Sequence, residues 1–272
     1  MKTSFVLSIS PTSFSPATYT ADLASAVRDV ARLGFEGVEL HVRNPKEVDL
    51  RFVRELIEQS GLAVSAIGTG QAYVDDHLSL CDPDAGVRRR AAERLKDGID
   101  FAAEFDAILI VGLIRGRTAE GMSKDQALEL IEDGLRSCLS TAQQKGVTVV
   151  LEPINRYETD IINTVSEALD FVEKLDFPNL GLLVDTFHMN IEEPSIRGSL
   201  VSAGSRIAHV HTADSNRWAP GFGHIDFAEV VKTLKEVGYE GYLSAEILPL
   251  PDLRAAAEMA IGTLISALSP SR

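Results

Sequence analysis

The stretch VTVVLEP, residues 147–153, is an apolar run that ends on a glutamate, Glu152. Three later stretches repeat this form, namely GLLVD (181–185) ending on Asp185, IAHVH (207–211) ending on His211, and YLSAE (242–246) ending on Glu246. An apolar run followed at once by a polar side chain is typical of a buried parallel strand whose carboxyl end reaches the surface of a sheet. The sequence therefore predicts four strands, each with one acidic or imidazole side chain at its carboxyl end.

The same alternation of apolar runs and helix-like segments covers the whole chain, at a spacing of about 30 residues. The predicted strands are 5–9, 38–40, 64–67, 108–111, 147–151, 181–184, 207–211 and 242–245. The predicted helices are 22–33, 50–59, 86–104, 124–145, 165–175, 195–203, 227–237 and 253–268. Eight such units predict an α/β protein with one (β/α)8 barrel domain over residues 1–272. A doubly wound open sheet would need a glycine-rich loop after the first strand, and SISPTSFS (8–15) is not one.

Helix boundaries carry their usual local signals. Glycine follows several of the predicted helices, as Gly34 and Gly61 do, where a left-handed residue ends a helix with least strain. Three helix starts have capping-box spacing, Ser123/Gln126, Thr164/Glu167 and Asp226/Glu229. These signals support the predicted order of elements.

Composition restricts the possible partners. The chain has 272 residues and a formal charge of −14, which repels nucleic acid and anionic membranes. No segment approaches the roughly 20 apolar residues of a membrane span. The first residues, MKTSFVLSIS, have too short an apolar stretch for a signal peptide. Cys81 and Cys138 lack a partner motif and are expected to be isolated buried thiols. We expect a cytoplasmic protein with neither a nucleic-acid nor a membrane partner.

The four polar residues at the strand ends form a candidate metal site. In a barrel, the carboxyl ends of the strands meet at one mouth, where catalytic residues lie. The four residues are 33, 26 and 35 positions apart, about one βα unit each. Three carboxylates and one imidazole suit a hard or borderline divalent cation. Each residue alone has an ordinary explanation; Asp185, for example, can cap a turn through Thr186. The shared spacing favours a common site.

Further polar residues follow these strands. Glu158 and His188 come shortly after Glu152 and Asp185, and Arg217 and Trp218 follow His211. We expect Trp218 either to cover the site or to pack on its neighbours in a surface loop. His209 shares a strand face with His211, and we interpret it as a hydrogen-bonded core residue.

Taken together, these motifs resemble the xylose-isomerase-like TIM-barrel superfamily of sugar isomerases and epimerases. The resemblance covers essentially the whole chain. Within the superfamily, the motifs resemble most the ketose 3-epimerases of the D-tagatose and D-psicose type. It rests on LEPINRYETD (151–160), VDTFHMNIEE (184–193), HVHTADSNRWAPGFGHIDF (209–227) and GYLSAEI (241–247).

The resemblance implies specific roles for residues of this chain. Glu152 and Glu246 correspond to the two proton-transfer groups, which are also metal ligands together with Asp185 and His211. Glu158, His188 and Arg217 correspond to groups that bind the substrate. It also implies Mn2+, or alternatively Mg2+, Co2+ or Zn2+, and a homodimer or homotetramer.

Two stretches of the first half resemble instead the 5-keto-L-gluconate epimerase branch, which acts on keto-aldonates. They are AIGTGQAYVDDHLSL (66–80) and IVGLIRGRTAEG (110–121). Arg115 and Arg117 follow the fourth strand, and a guanidinium binds a carboxylate through two hydrogen bonds. These arginines are therefore candidates for binding a substrate carboxylate, and a local salt bridge is the alternative.

The predicted reaction is the inversion of the carbon next to a ketone through an enediolate, with a small sugar or keto-sugar acid as substrate. An aldose–ketose or hydroxypyruvate-type isomerase would use the same site. A non-catalytic sugar-binding protein is a further alternative. An apurinic-site endonuclease needs additional histidines from strands two and three and an Asp-x-His pair. Here strand three ends in GTGQ (68–71), strand four ends in LIRGR (113–117), and ADSNR (213–217) lacks the pair.

Overall fold

The apolar runs of the sequence pair edge to edge as eight parallel strands that close into a barrel. In this computed structural model, which describes residues 1–16, 18–19 and 22–269, each strand pairs with the next and the first pairs with the last. The strands are β1 Lys2–Ser8, β2 Gly37–His41, β3 Ala63–Gly68, β4 Ile108–Val111, β5 Val149–Leu151, β6 Leu180–Asp185, β7 Ile207–His211 and β8 Tyr242–Ala245. The prediction of a (β/α)8 barrel is confirmed.

Helices follow the strands and surround the barrel. They are α1 Leu23–Leu33, α2 Leu50–Ser60, α3 Gly70–Val74, α4 Ala85–Ala103, α5 Lys124–Gln144, α6 Val165–Leu175, α7 Thr186–Glu192, α8 Ile196–Ala203, α9 Phe227–Glu236 and α10 Leu253–Leu268. The sequence did not predict α3, α7 or the two-residue strand Thr18–Tyr19 that pairs with β1. Each of these elements is too short to show a periodic pattern.

The local boundary signals act as expected at most helix ends. Ser123 and Thr164 form complete capping boxes at the starts of α5 and α6. At α9, Asp226 accepts the backbone N–H of Glu229. Gly34 ends α1 at φ 94°, a backbone conformation that strains residues with a Cβ. Both cysteines are buried and free.

The interior of the barrel is divided into an apolar and a polar part. Ala66, Ile110, Val150 and Leu183 form a small apolar cluster inside the barrel. Across the interior, β2, β7 and β8 place hydrogen-bonded polar side chains, among them Glu39 and His209, which are both fully buried. Buried polar groups need hydrogen-bond partners, so this polar side has a fixed arrangement directly beneath the mouth. Among the described helices, none is long and apolar enough to traverse a membrane.

Candidate metal and catalytic site

Four side chains from adjacent strands converge at the mouth of the barrel. Glu152 directly follows β5, Asp185 ends β6, His211 ends β7 and Glu246 directly follows β8. One ligand atom of each lies within 4.8 Å of the others, and all four residues are buried. The parallel barrel causes this convergence, because successive carboxyl ends lie side by side around one axis.

The imidazole of His211 faces all three carboxylates. Its Nδ1 lies 3.7 Å from Glu152 Oε1, 3.9 Å from Asp185 Oδ2 and 3.8 Å from Glu246 Oε2. Within the described part of the chain, His211 Nδ1 and Asp185 Oδ2 have no hydrogen-bond partner. Two ligands that are each about 2.1 Å from one ion are at most about 4.2 Å apart. The three distances from His211 Nδ1 lie within this limit, so the four side chains could hold a single divalent cation.

One carboxylate oxygen of Asp185 accepts a backbone hydrogen bond, and the other has no hydrogen-bond partner among the described residues. Its carboxylate caps α7 by accepting the backbone N–H of Phe187 at Oδ1, over 2.7 Å. Oδ2 points toward the cluster instead. The helix cap and the ligand position are thus two functions of one side chain, and the cap fixes the orientation of the free oxygen.

Burial and neighbouring charges shift the pKa values of the cluster when no cation is bound. Burial, together with the neighbouring Glu246 and Glu152, raises the pKa of Asp185 to about 8. Burial likewise raises the pKa of Glu152. Burial opposes protonation of His211, but the surrounding carboxylates, first Glu39 and then Glu246, raise its pKa well above the ordinary value. Burial in this space therefore favours the protonated forms of Asp185 and Glu152, or a bound metal ion in their place.

This charge arrangement predicts a pH-dependent stability of the metal-free protein. The folded-state pKa of Asp185, about 8, lies above an unfolded value of about 3.9. Its contribution to the free energy of unfolding is complete below the lower value and is lost as pH rises toward the upper one. The metal-free protein should melt at a lower temperature at pH 8 than at pH 6.

Thermal unfolding with and without a divalent cation checks this prediction. About 1 kcal/mol corresponds to roughly 2–4 °C for a chain of this size, so the shift is measurable. A bound cation replaces the protons and should flatten the dependence, as should Asp185→Asn. A metal-free protein whose melting temperature rises over this range would contradict the charge assignment.

Arg217 connects two carboxylates at the edge of the cluster. Its Nη1 donates to Glu158 Oε1 over 2.8 Å and its Nη2 to Glu246 Oε2 over 3.3 Å. The guanidinium also lies over the ring of Phe187, 5.0 Å from its centroid. Arg217 has φ 62°, an uncommon backbone conformation for a side chain of this size. The loop thus holds the guanidinium directly against Glu246.

His188 is held in one orientation by an asparagine. Asn155 Nδ2 lies 2.7 Å from His188 Nδ1 and 2.8 Å from Glu158 Oε1, which it reaches as a donor. An amide N–H at Nδ1 leaves the ring proton on Nε2. Nε2 lies 3.8 Å from Glu152 Oε1 and 3.9 Å from Asp185 Oδ2, so it presents a donor to the site. Burial and then Arg217 lower the pKa of His188 well below its usual value, which keeps the ring neutral.

Neither of the two arginines after β4, which the sequence made candidates for binding a substrate carboxylate, lines the cavity beside the four side chains. Arg115 is fully buried, and its guanidinium donates four hydrogen bonds to the backbone carbonyls of Gly112, Ile161 and Ile162. It therefore ties two loops together and has no free face for a substrate carboxylate. Arg117 is exposed and does not line the cavity that lies between Glu152, His211 and Glu246. Arg115 is the last residue of a short 3-10 turn, Leu113–Arg115, which the sequence did not predict.

Trp218 takes the second of its two expected positions. Its ring packs against Phe222 at a centroid distance of 5.8 Å, and it does not line the cavity. Phe14 covers the site instead, stacked on His41 at 5.8 Å. Phe14 lies in the loop after β1, in a segment without a strand or helix pattern. The sequence contained no signal for this position.

The sequence analysis also missed Glu39, His41 and Asn155. Glu39 had a recognisable signal, because a carboxylate in the middle of the apolar strand GVELH must be paired when buried. His41 ends β2 in the way that His211 ends β7, so the rule used for the later strands applies to it as well. Asn155 follows no strand directly, and asparagine is common in loops.

The site encloses a cavity of about 20 Å³, which Phe14 and Arg217 border. This volume holds one ion or water molecule and no sugar.

Comparison with known proteins identifies similar chains. A family model described as xylose isomerase-like TIM barrel matches residues 27–262. The chain is 31% identical over 236 residues to D-psicose 3-epimerase of Ruminiclostridium cellulolyticum, covering 84% of this chain and 79% of that protein. It is 28% identical over 243 residues to 3-dehydro-D-guloside 4-epimerase of Escherichia coli, covering 85% and 88%. A solved L-ribulose 3-epimerase superposes with a TM-score of 0.82 at 28% identity, over 98% of this chain and 96% of that one.

Proposed function

This chain belongs to the xylose isomerase-like TIM-barrel family, and from that premise we propose that it is a metal-dependent epimerase. It inverts the carbon next to the ketone of a ketose or a related keto sugar. One observation carries the proposal: two buried glutamates, Glu152 and Glu246, lie 3.7 Å and 3.8 Å from the same nitrogen of His211. The epimerases to which the chain is similar support the reaction class.

The two glutamates act as a base and an acid on one carbon. They extend from β5 and β8, so a substrate between them has one carboxylate on each face. One carboxylate removes the proton next to the ketone, and the other returns a proton to the opposite face of the planar enediolate. Burial raises the pKa of Glu152 and so favours its protonated form, which suits a group that both accepts and donates a proton.

The remaining residues bind the substrate oxygens and the cation. Glu152, Asp185, His211 and Glu246 would hold a divalent cation, which supplies positive charge for the negative oxygens that develop during proton removal. His188 Nε2 and the guanidinium of Arg217 are N–H donors for the same oxygens. We propose Mn2+ as the ion, since three carboxylates and one imidazole suit a hard or borderline divalent cation.

The lining of the cavity favours a neutral substrate over a keto-aldonate. Arg217 is the one arginine or lysine that lines the cavity in the described residues, and it is already paired with Glu158 and Glu246. A substrate carboxylate would have to compete with these partners.

A cytoplasmic location and a homo-oligomeric assembly remain predictions from the sequence.

Turnover of a panel of ketoses and keto-aldonates with Mn2+, followed by chromatography of the epimer pairs, tests the function. In deuterated water, we expect deuterium at the inverted carbon of the product. An aldose product would instead support the aldose–ketose isomerase. Absence of turnover on every ketose and keto sugar would contradict the proposal.

Exchanging the arginine at the site for lysine should weaken catalysis. Arg217→Lys keeps the charge, but an ammonium lacks the planar fork that reaches both Glu158 and Glu246. We expect kcat/KM to fall by about 10²-fold. Arg156→Lys is the matched control, because Arg156 pairs with both oxygens of Glu192 outside the cavity. Equal kinetics of the two variants would exclude a role for Arg217 in substrate binding.

A further inference from the structure

Glu39 is a fully buried carboxylate that lies beneath the metal site on β2. Its Oε1 lies 2.9 Å from His41 Nε2 and 3.0 Å from His211 Nε2. Its Oε2 lies 2.9 Å from His209 Nε2 and accepts the hydroxyl of Ser244 over 2.8 Å. A carboxylate has about four lone-pair positions. Three imidazoles and one hydroxyl therefore use the whole acceptor capacity of Glu39.

The contact with His211 decides which ring nitrogen faces the cluster. Because Glu39 accepts a hydrogen bond from Nε2, the neutral ring carries its hydrogen on that nitrogen, and Nδ1 is the nitrogen whose lone pair can face a cation. Nδ1 is the atom near Glu152, Asp185 and Glu246 and has no partner within the described residues. The carboxylate thus fixes both the orientation of the ring and the identity of its free nitrogen.

A second contact extends from Glu39 toward Glu246. His41 Nε2 lies 3.7 Å from Glu246 Oε1 as well as in hydrogen-bond contact with Glu39. The ring of His41 is confined on one side by Phe14, stacked at 5.8 Å. On another side lies Gly68, where a Cβ would overlap the imidazole. The position of His41 beside Glu246 therefore also depends on the carboxylate of Glu39.

We propose that Glu39 is the positioning residue of this site, acting through His211 on cation binding and through His41 on Glu246. The inference rests on the proposed function, since it takes His211 as a ligand. Glu39 itself is a hydrogen-bond acceptor and not a ligand of a second ion, because its four partners leave it no free lone pair.

Cobalt binding, followed by the visible absorption of the bound ion, tests the proposal without any substrate. We expect one Co2+ per chain in the wild type and in Glu39→Gln, with affinity about 10–100-fold weaker in the variant, the usual effect of losing a carboxylate behind a ligating histidine. Glu193→Gln is the matched control. Glu193 accepts hydrogen bonds from the Val165 backbone and Ser199, and does not line the cavity. Its variant should bind like the wild type.

A second measurement uses the wild-type protein alone and does not require Glu39→Gln to fold. With Zn2+ bound and the histidines isotope-labelled, proton–nitrogen NMR correlations report which nitrogen of His211 carries hydrogen. We expect hydrogen on Nε2 and the metal on Nδ1. Coordination through Nε2, two ions per chain, or unchanged affinity in a folded Glu39→Gln would each overturn the proposal. Because no outcome involves turnover, the proposed epimerase activity can fail independently.

Discussion

Replacing either Glu152 or Glu246 by glutamine should abolish turnover while the barrel remains folded. An amide cannot accept the proton from carbon, and a positioned acid or base contributes about 10²–10⁴-fold to the rate. Each side chain is also a proposed metal ligand, so we expect the loss in kcat to be at the upper end of this range. Initial rates on the preferred ketose, together with circular dichroism, provide the measurement.

The control for these variants is Glu132→Gln. Glu132 pairs with Lys174 and Arg136 on the outer helices and should tolerate the same change without loss of rate. The two site variants can also be distinguished from each other. If Glu152 and Glu246 act on opposite faces, each variant keeps one of the two carboxylates. That carboxylate should still exchange the carbon-bound proton of one epimer with solvent more readily than that of the other epimer. Near-wild-type kcat in either variant would contradict the scheme of two carboxylates.

Removal of divalent ions should abolish the activity of the enzyme, and Mn2+ should restore the activity better than Ca2+. A cation at the site is expected to stabilise the developing charge by several kcal/mol, so we expect a loss of about 10³-fold or more. Ca2+ prefers six to eight oxygen ligands, whereas this site offers three carboxylates and the nitrogen of His211. The measurement is the initial rate after EDTA treatment and after addition of each ion.

The melting profile of the same sample is a control for metal removal. The same EDTA-treated sample should show the pH-dependent melting that the raised pKa of Asp185 predicts. A treated sample with full activity and the metal-free melting profile would show that the reaction needs no ion. Such a result would contradict the metal-dependent part of the proposed function while leaving the fold unaffected.

The strands and most helices could be predicted from the sequence because their signals are local. An apolar run ending on Glu152 or Asp185 indicates a buried strand and its exit from the sheet without knowledge of any partner. Capping residues such as Ser123 and Thr164 fix helix starts through hydrogen bonds within four residues. In a parallel barrel, the strand ends converge by topology alone, so the grouping of the four residues followed from the fold.

The second layer of the site could not be predicted in the same way, since it depends on distant contacts. Arg115 was a candidate for binding a substrate carboxylate, but its guanidinium donates to the backbone carbonyls of Ile161 and Ile162, which are 46 and 47 positions away. Glu39 meets His209 and His211 across the barrel, 170 and 172 positions along the chain. A single sequence contains no signal for such pairs beyond the presence of a charge in an apolar strand.

The most direct test of the site is a crystal grown with Mn2+ and examined by anomalous scattering. The site described here predicts one peak per chain, coordinated by Glu152, Asp185, His211 Nδ1 and Glu246. A peak elsewhere, or a coordination shell that lacks either glutamate, would contradict the assignment of these four residues to one ion and the two-carboxylate chemistry that depends on it.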